Sequence, residues 1–352
     1  MTKRHISLLV CAAALVASGV AAAAPVSVPK THLVHPGESI QKAVDAARPG
    51  DTVRVLPGTY HQSVKITTPG LTLRGSGSST VLEPATKATD VCGKRGNGIC
   101  VAGTKAKRLM GVTVSNLVLT GYSRAGMISV GADGLIVRHV TSDKNGAWGF
   151  AEEHSEHSTY ERDAARNNGD AGIFLANTIT AEQGAADSKE TLIAHNLVAG
   201  NRVGVTVRRL RNLTVAANAI TGNCAGVFVV GDENKPKAGA LTVRDNRVVK
   251  NNKYCAKTDR LPFLQGSGIV LTGAEKAEVT GNLVTGNAGT SPLSGGIVLF
   301  KSFVGATSDG NRIADNSLSG NAPADLVNQE SAKRGNTFAH NSCRASRPAG
   351  LC

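Results

Sequence analysis

The chain has 352 residues, of which 40 are glycine and only 3% aromatic, and it carries a formal net charge of +13. That balance suits an acidic polymer as partner, and equally an excess of charge spread over a solvated surface, where it aids solubility. No Lys/Arg run has the density of a nucleic-acid arm and no helix-turn-helix or zinc-finger spacing occurs, so nucleic acid is not an expected partner.

The first element reads as a processing signal. Lys3, Arg4 and His5 form a basic start, Ile6 to Val20 is almost wholly apolar, and Ala22-Ala23-Ala24 fits a small-residue cleavage site. Residues 1–24 are therefore expected to be removed and the protein secreted. No later stretch reaches the roughly 20 apolar residues that a membrane span needs. Residues 25–35 are expected to be a lead-in, flexible from Pro25 to His32.

A helix is predicted from Ser39 to Arg48, because Ile40, Ala43, Val44 and Ala47 share one face and Arg48-Pro49-Gly50-Asp51 ends it. Strands are expected at Val53–Leu56, Val64–Ile66 and Leu71–Arg74, then a polar loop from Lys87 to Gly98. Regular structure should resume near Ile99 and run to about Asn341.

From the middle of the chain onward one phrase recurs. Asparagine pairs frame it in Asn196-Leu-Val-Ala-Gly-Asn201, Asn218-Ala-Ile-Thr-Gly-Asn223, Asn246-Arg-Val-Val-Lys-Asn251, Asn282-Leu-Val-Thr-Gly-Asn287 and Asn316-Ser-Leu-Ser-Gly-Asn321. Glycine then opens a short apolar strand, as in Gly172-Ile-Phe-Leu, Gly204-Val-Thr-Val, Gly226-Val-Phe-Val, Gly268-Ile-Val-Leu and Gly296-Ile-Val-Leu. Fixed phrases separated by elastic insertions indicate a solenoid with the insertions in surface loops. Each strand is expected to pair in parallel with its counterpart one coil on, and the asparagines to stack as structural ladders. The strand glycines are expected to serve turns with positive φ. About ten coils at ~4.8 Å give a rod of roughly 50 Å.

Beyond Cys11 in the signal, six cysteines remain, an even number in an exported chain. Position suggests Cys92–Cys100 closing a loop, Cys224–Cys255 bridging successive coils by stacking, and Cys343–Cys352 tying down the tail. The Cys-His spacing of a zinc site is absent.

The pattern resembles the right-handed parallel β-helix superfamily, which includes pectate lyases, polygalacturonases, pectin methylesterases and alginate epimerases. The segment from Gly37 through Ala43-Val-Asp-Ala-Ala-Arg-Pro-Gly-Asp-Thr-Val-Arg-Val-Leu-Pro-Gly-Thr-Tyr60 resembles its capping helix and first strand. The resemblance implies an all-β solenoid over residues 36–343, with a helix capping its open end and residues 344–352 as a tail. It implies no catalytic residue. Gly58-Thr59-Tyr60 is followed by Gln62 where a methylesterase motif has Glu. The Asn-Thr-Asp, Gly-His-Gly, Arg-x-Pro-x-x-Arg and Asp-Pro-His-Asp signatures of other members are missing.

One coil breaks the pattern, from Gly149 to Asn168. Asp163 takes a ladder asparagine position, and Glu152 takes a strand position held elsewhere by Leu175, Val207, Val229, Leu271 and Leu299. A carboxylate at a core position is costly unless paired, which marks a candidate site. His154, Asn177 and Arg209 hold one junction position in consecutive coils and should form a polar row. Glu152, His154 and Arg209 are the catalytic candidates, for proton transfer beside a neutralised substrate carboxylate. Glu153, His157, Asn177, Arg208, Trp148 and Tyr160 are the substrate-binding candidates. The same run also reads as an ordinary solvated surface. The third strand position, held by Ile128, Phe174, Phe228, Val270 and Val298, is largely apolar and requires a loop, a tail or a partner to cover it if it faces out.

The expected function is binding or processing of an extracellular, acidic polysaccharide by a monomer, of lyase or epimerase type if catalytic. The alternative is a non-enzymatic envelope or interaction scaffold. No cofactor is predicted, and a calcium ion has no motif to hold it.

Overall fold

The computed structural model describes residues 28–352, so the expected signal segment lies outside the described residues. Almost every strand pairing in it is parallel. Eleven strands, from Val64–Ile66 to Ser346–Arg347, stack in chain order into one sheet. The remaining strands form the other faces of the coil, where Thr242–Arg244, for example, pairs with Glu278–Thr280 one coil later. The interior is a narrow aliphatic column. Ile99, Met127, Phe150, Ile173, Val205, Val227, Ile269 and Ile297 stack along it, all fully buried.

Helix Ile40–Ala46 is shorter than the sequence pattern predicts. Ser39 caps it, its Oγ accepting from Lys42 N, and Ala47 is already extended at ψ 143°. Ile40 and Val44 enter the same core, and the Gln41 amide bonds both backbone groups of Lys65. The lead-in is ordered earlier than expected, since Thr31–Val34 pairs with Thr52–Val55. The tail also joins the sheet, through Ser346–Arg347 against Leu326–Val327. A short helix, Val91–Lys94, lies within the expected loop.

The asparagines form two continuous ladders. In one, Nδ2 of Asn145 donates to Oδ1 of Asn168, and the contact repeats through Asn201, Asn223, Asn251 and Asn287 to Asn321 at 2.8–3.0 Å. The other runs from Asn196 through Asn218, Asn246, Asn282 and Asn316 to Asn341 at 2.9–3.0 Å. Each amide thus supplies an acceptor to one neighbouring coil and a donor to the next, so a buried polar column is satisfied internally.

The strand glycines answer a different need from the one expected. Positive φ belongs to Gly200, Gly222, Gly286 and Gly320, which precede ladder asparagines, and Lys250 fills the same place at φ 50°. The strand glycines are required by close approach instead. A Cβ at Gly204 would lie 2.5 Å from the Gly226 carbonyl oxygen and 2.7 Å from Ile220 Cγ2.

All three cysteine pairs form as expected. The reason for Cys224–Cys255 differs, however. Cys224 follows Asn223 directly, whereas Cys255 lies further along, inside the insertion after Asn251, where it bridges Leu264. The disulfide therefore pins a loop rather than stacking two equivalent coil positions.

Candidate functional site: a cationic groove on the parallel sheet

The outward face of the eleven-stranded sheet carries one long row of stacked side chains. It runs Lys65, Cys100, Ile128, Ala151, Phe174, Thr206, Phe228, Val270, Val298, Val327 and Arg347. It is open only at its two ends: Lys65 and Arg347 are exposed and Cys100 and Ile128 are half-buried, whereas every residue from Ala151 to Val327 is buried. The expected cover for Phe174, Phe228, Val270 and Val298 is supplied by the chain itself. Trp148, Ile179, Leu261, Leu264, Leu293 and Phe300 pack with them in a second apolar cluster.

The open part at Lys65, Cys100 and Ile128 is the floor of a 370 Å³ cavity. Cys100, Ile128 and Val130 lie along it, and Lys65, Arg95 and Arg124 bring three positive charges to it against, among the described residues, the single carboxylate of Glu153. Helix Val91–Lys94 forms one wall, tied to the floor by Cys92–Cys100. Ile179 and Thr180 form another. A larger cavity of 570 Å³ lies at the C-terminal end of the sheet, but Arg347 is its only charged residue, so it holds no group for proton transfer.

The predicted site residues separate in the structure. Glu152 and Glu153 are adjacent on an extended strand and so face opposite sides. Glu152 points into the core, 1% exposed, where its Oε2 accepts from Tyr160 Oη at 2.9 Å. Burial pushes its pKa up to about 7, against the pull of the Ser158 and Tyr160 hydroxyls and the Arg108 charge. Burial likewise pushes the Tyr160 hydroxyl well up, and the Glu152 charge adds to it. Both are sealed inside the coil and touch no surface ligand.

The row His154–Asn177–Arg209 does stack, with His154 N donating to Asn177 O at 3.3 Å and Asn177 N to Arg208 O at 3.2 Å. His154 and Arg209 take φ of 52° and 53°, a turn conformation suited to polar residues. The row is roofed by residues 178–184. Arg209 is 3% exposed, donates to Thr178 Oγ1 at 3.2 Å and to the Ala181 carbonyl, and forms an ion pair with Asp232 at 2.5 Å. Asn177 Nδ2 donates to Gly184 O at 2.6 Å, and Arg208 to Ile179 O at 3.0 Å. From below, Glu153 Oε1 accepts from Ile179 N at 2.9 Å. Glu153, Asn177, Arg208 and Arg209 thus hold the wall in place, and of these only Glu153 lines the cavity.

Trp148 has no free ring face for a sugar. Phe174 stacks on it at 5.2 Å, the Arg124 guanidinium lies over it at 5.2 Å, and its Nε1 donates to Asp170 at 3.0 Å. His157 lies outside the groove, paired to Asp133 at 2.7 Å. Asp133, Glu156 and His157 are close enough to share a cation, but Arg108 at 3.1 Å and Lys189 at 2.7 Å already neutralise Glu156. The donor set therefore suits an ion-pair network, and no metal site is derived from it. Lys65, Arg95 and Arg124 escaped sequence reasoning because Arg95 lies in an insertion and the other two in separate, irregular coils. Their common feature, the outward face, is legible only once the register is known.

A family model for the right-handed β-helix region matches residues 69–238 and 184–318, and the chain belongs to that family. No curated protein matches it in sequence. Among solved structures it is similar to the A-module of a mannuronan C-5 epimerase from Azotobacter vinelandii, with 17% identity, TM-score 0.56 and coverage of 86% of this chain and 90% of that one. It is also similar to an alginate lyase from Paenibacillus sp., with 15% identity, TM-score 0.59 and coverage of 90% and 99%. A DFA-IIIase from Arthrobacter chlorophenolicus shares 13% identity, TM-score 0.60 and coverage of 92% and 84%. At these identities the likeness shows a common fold.

Proposed function

We propose that this protein is a secreted carbohydrate-active protein that binds and processes an acidic polysaccharide of the polyuronate class in the groove over Cys100 and Ile128. The observation that carries the reading is the charge arrangement: Lys65, Arg95 and Arg124 line an apolar floor with Glu153 as the only carboxylate among the described residues. A uronate presents a carboxylate for cations to bind, an apolar ring face for Ile128 and Val130, and an acidic C5 proton. Glu153 is the group in the groove able to accept that proton, with one oxygen oriented by Ile179 N. Neutralising the substrate carboxylate with an arginine or lysine lowers the barrier to abstraction, and the carbanion then expels the glycosidic oxygen at C4, which takes up the proton held by Glu153, or is reprotonated at C5 by water on the opposite ring face. In this reading Glu153 takes the role that the sequence pattern gave to Glu152 or His154. The names of the mannuronan epimerase and the alginate lyase support the substrate class.

The test is titration calorimetry against purified oligouronates, with absorbance of unsaturated products and solvent exchange at C5 read in parallel. Lys65→Ala, Arg95→Ala and Arg124→Ala should each weaken binding about tenfold, the size of one charge-assisted contact near 1.5 kcal/mol, and less so in high salt. Glu153→Gln should bind but not turn over. Binding with neither product nor exchange would establish the second reading, a non-catalytic glycan-binding scaffold. The enclosure of Glu152 and Arg209 inside the protein favours that reading.

A further inference from the structure

Resting on the acidic-glycan reading, we infer that the groove receives the end of a chain, or a short oligosaccharide, and does not accommodate the interior of a long polymer. At this end of the sheet the outward row is accessible over three strands, those of Lys65, Cys100 and Ile128, and its other exposed member, Arg347, lies at the far end beyond the buried stretch. At ~4.8 Å between strands the usable floor is roughly 15 Å long, and its 370 Å³ is near the lower end for ligand sites. Past Ile128 the row continues through Ala151 and Phe174 at 1% and 8% exposure, beneath Ile179 and the side chains packed with it.

This stop is built to stay in place. Ile179 is held at its N–H by Glu153 and at its carbonyl by Arg208. Arg209 and Asn177 hold the rest of its loop through Ala181 and Gly184. Behind it, residues 253–264 lie over the next strands. Cys224–Cys255 anchors them, as do the bonds from Arg202 to Ala256 O at 2.6 Å and Pro262 O at 3.4 Å. Five polar side chains and a disulfide thus close the sheet face toward its C-terminal end. On the other side, among the described residues, helix Ile40–Ala46 meets the first strand of the sheet through the Gln41 amide on the Lys65 backbone and leaves the Lys65 side chain exposed. A saccharide enters past Lys65 and abuts Ile179.

The closing experiment is titration calorimetry of the full chain with size-fractionated oligouronates and with the parent polyuronate at equal uronate mass. Chain-end binding predicts one protein per saccharide chain at every length, so that binding sites per gram fall in inverse proportion to length. Sites per gram that stay constant with length would overturn the inference while leaving the groove reading intact. No binding at any length would overturn both. Ile179→Gly provides a second arm. With the thermal midpoint confirming a folded protein, removing the stop should raise the number of proteins bound per long chain, and an unchanged ratio of one would place the barrier elsewhere and overturn the role of Ile179.

Discussion

Two aspartates stand in the asparagine ladders and meet opposite demands. Asp163 sits where a ladder asparagine is expected. Its Oδ1 accepts from Val140 N at 2.8 Å, and its Oδ2, in the place of an amide nitrogen, makes no hydrogen bond as a carboxylate. A proton on Oδ2 restores the missing donor, and burial pushes the pKa of this group well up. A folded pKa above the unfolded one means stability that is full below about pH 3.9 and declines as pH rises toward the folded value. Asp163→Asn should therefore stabilise by about 1–3 kcal/mol at pH 7, and the gain should vanish near pH 4. Urea melts at the two pH values check it. Glu152 follows the same sign. Its contribution declines between about pH 4.5 and 7, by at most about 3 kcal/mol, and Glu152→Gln should flatten that slope while leaving oligouronate affinity unchanged. Asp325 is the converse. Burial pushes it up, but bonds from Arg344 N, from Asn321 Nδ2 and N, and from Ala345 N outweigh burial and hold it below the usual range. Asp325→Asn should cost about 1–3 kcal/mol at neutral pH, measured by the same melts.

Among the elements, the strands and the walls of the groove obey different rules. Helix Val91–Lys94 is one turn long and is capped by Asp90, whose Oδ1 accepts from Gly93 N at 2.8 Å, and Cys92–Cys100 fixes it to the floor. Replacing both cysteines with serine should cost about 2–3 kcal/mol by loop entropy. It should also weaken oligouronate binding by more than it lowers the thermal midpoint of the solenoid, because the wall can leave while the coils remain. Calorimetry beside circular dichroism separates the two effects. The strands were legible in the sequence because apolar alternation recurs along the chain and paired asparagines repeat from its middle onward. The walls were not, because residues 85–96, 178–184 and 253–264 are insertions with no repeated pattern. The site lay between these cases. Glu152 was legible as a break in the pattern, yet a shift of one residue in an extended strand exchanges core for solvent, and the groove belongs to its neighbour Glu153. Arg209 was legible as part of a row, but what it binds is a loop of its own chain.

As a whole, the molecule is a stack in which each coil touches only its neighbours, so its stability is close to a sum over coils and their interfaces. Its ends are then the points where unfolding starts. At the C-terminal end, Cys343–Cys352 closes the last residues over the final coil, and Cys343, Leu351 and Phe338 pack against the core there. Cys352→Ser should raise hydrogen-exchange rates first in Thr337–Ala339 and Leu326–Asn328, and leave the coils near Val205 protected.

The ladders also give the stack a direction. Every ladder amide presents its oxygen to the preceding coil and its Nδ2 to the following one. The amide dipoles therefore add along the axis, with the positive pole at the C-terminal end, where the Asp325 carboxylate receives Asn321. Such a rod is vectorial: the ladders of two copies can be continued into one another only head to tail, the arrangement that propagates into fibres. Asp325 and the disulfide-closed tail act as a terminator on the end where a further copy would add, and a chain cut before Cys343 should show length-increasing scattering that the intact chain does not.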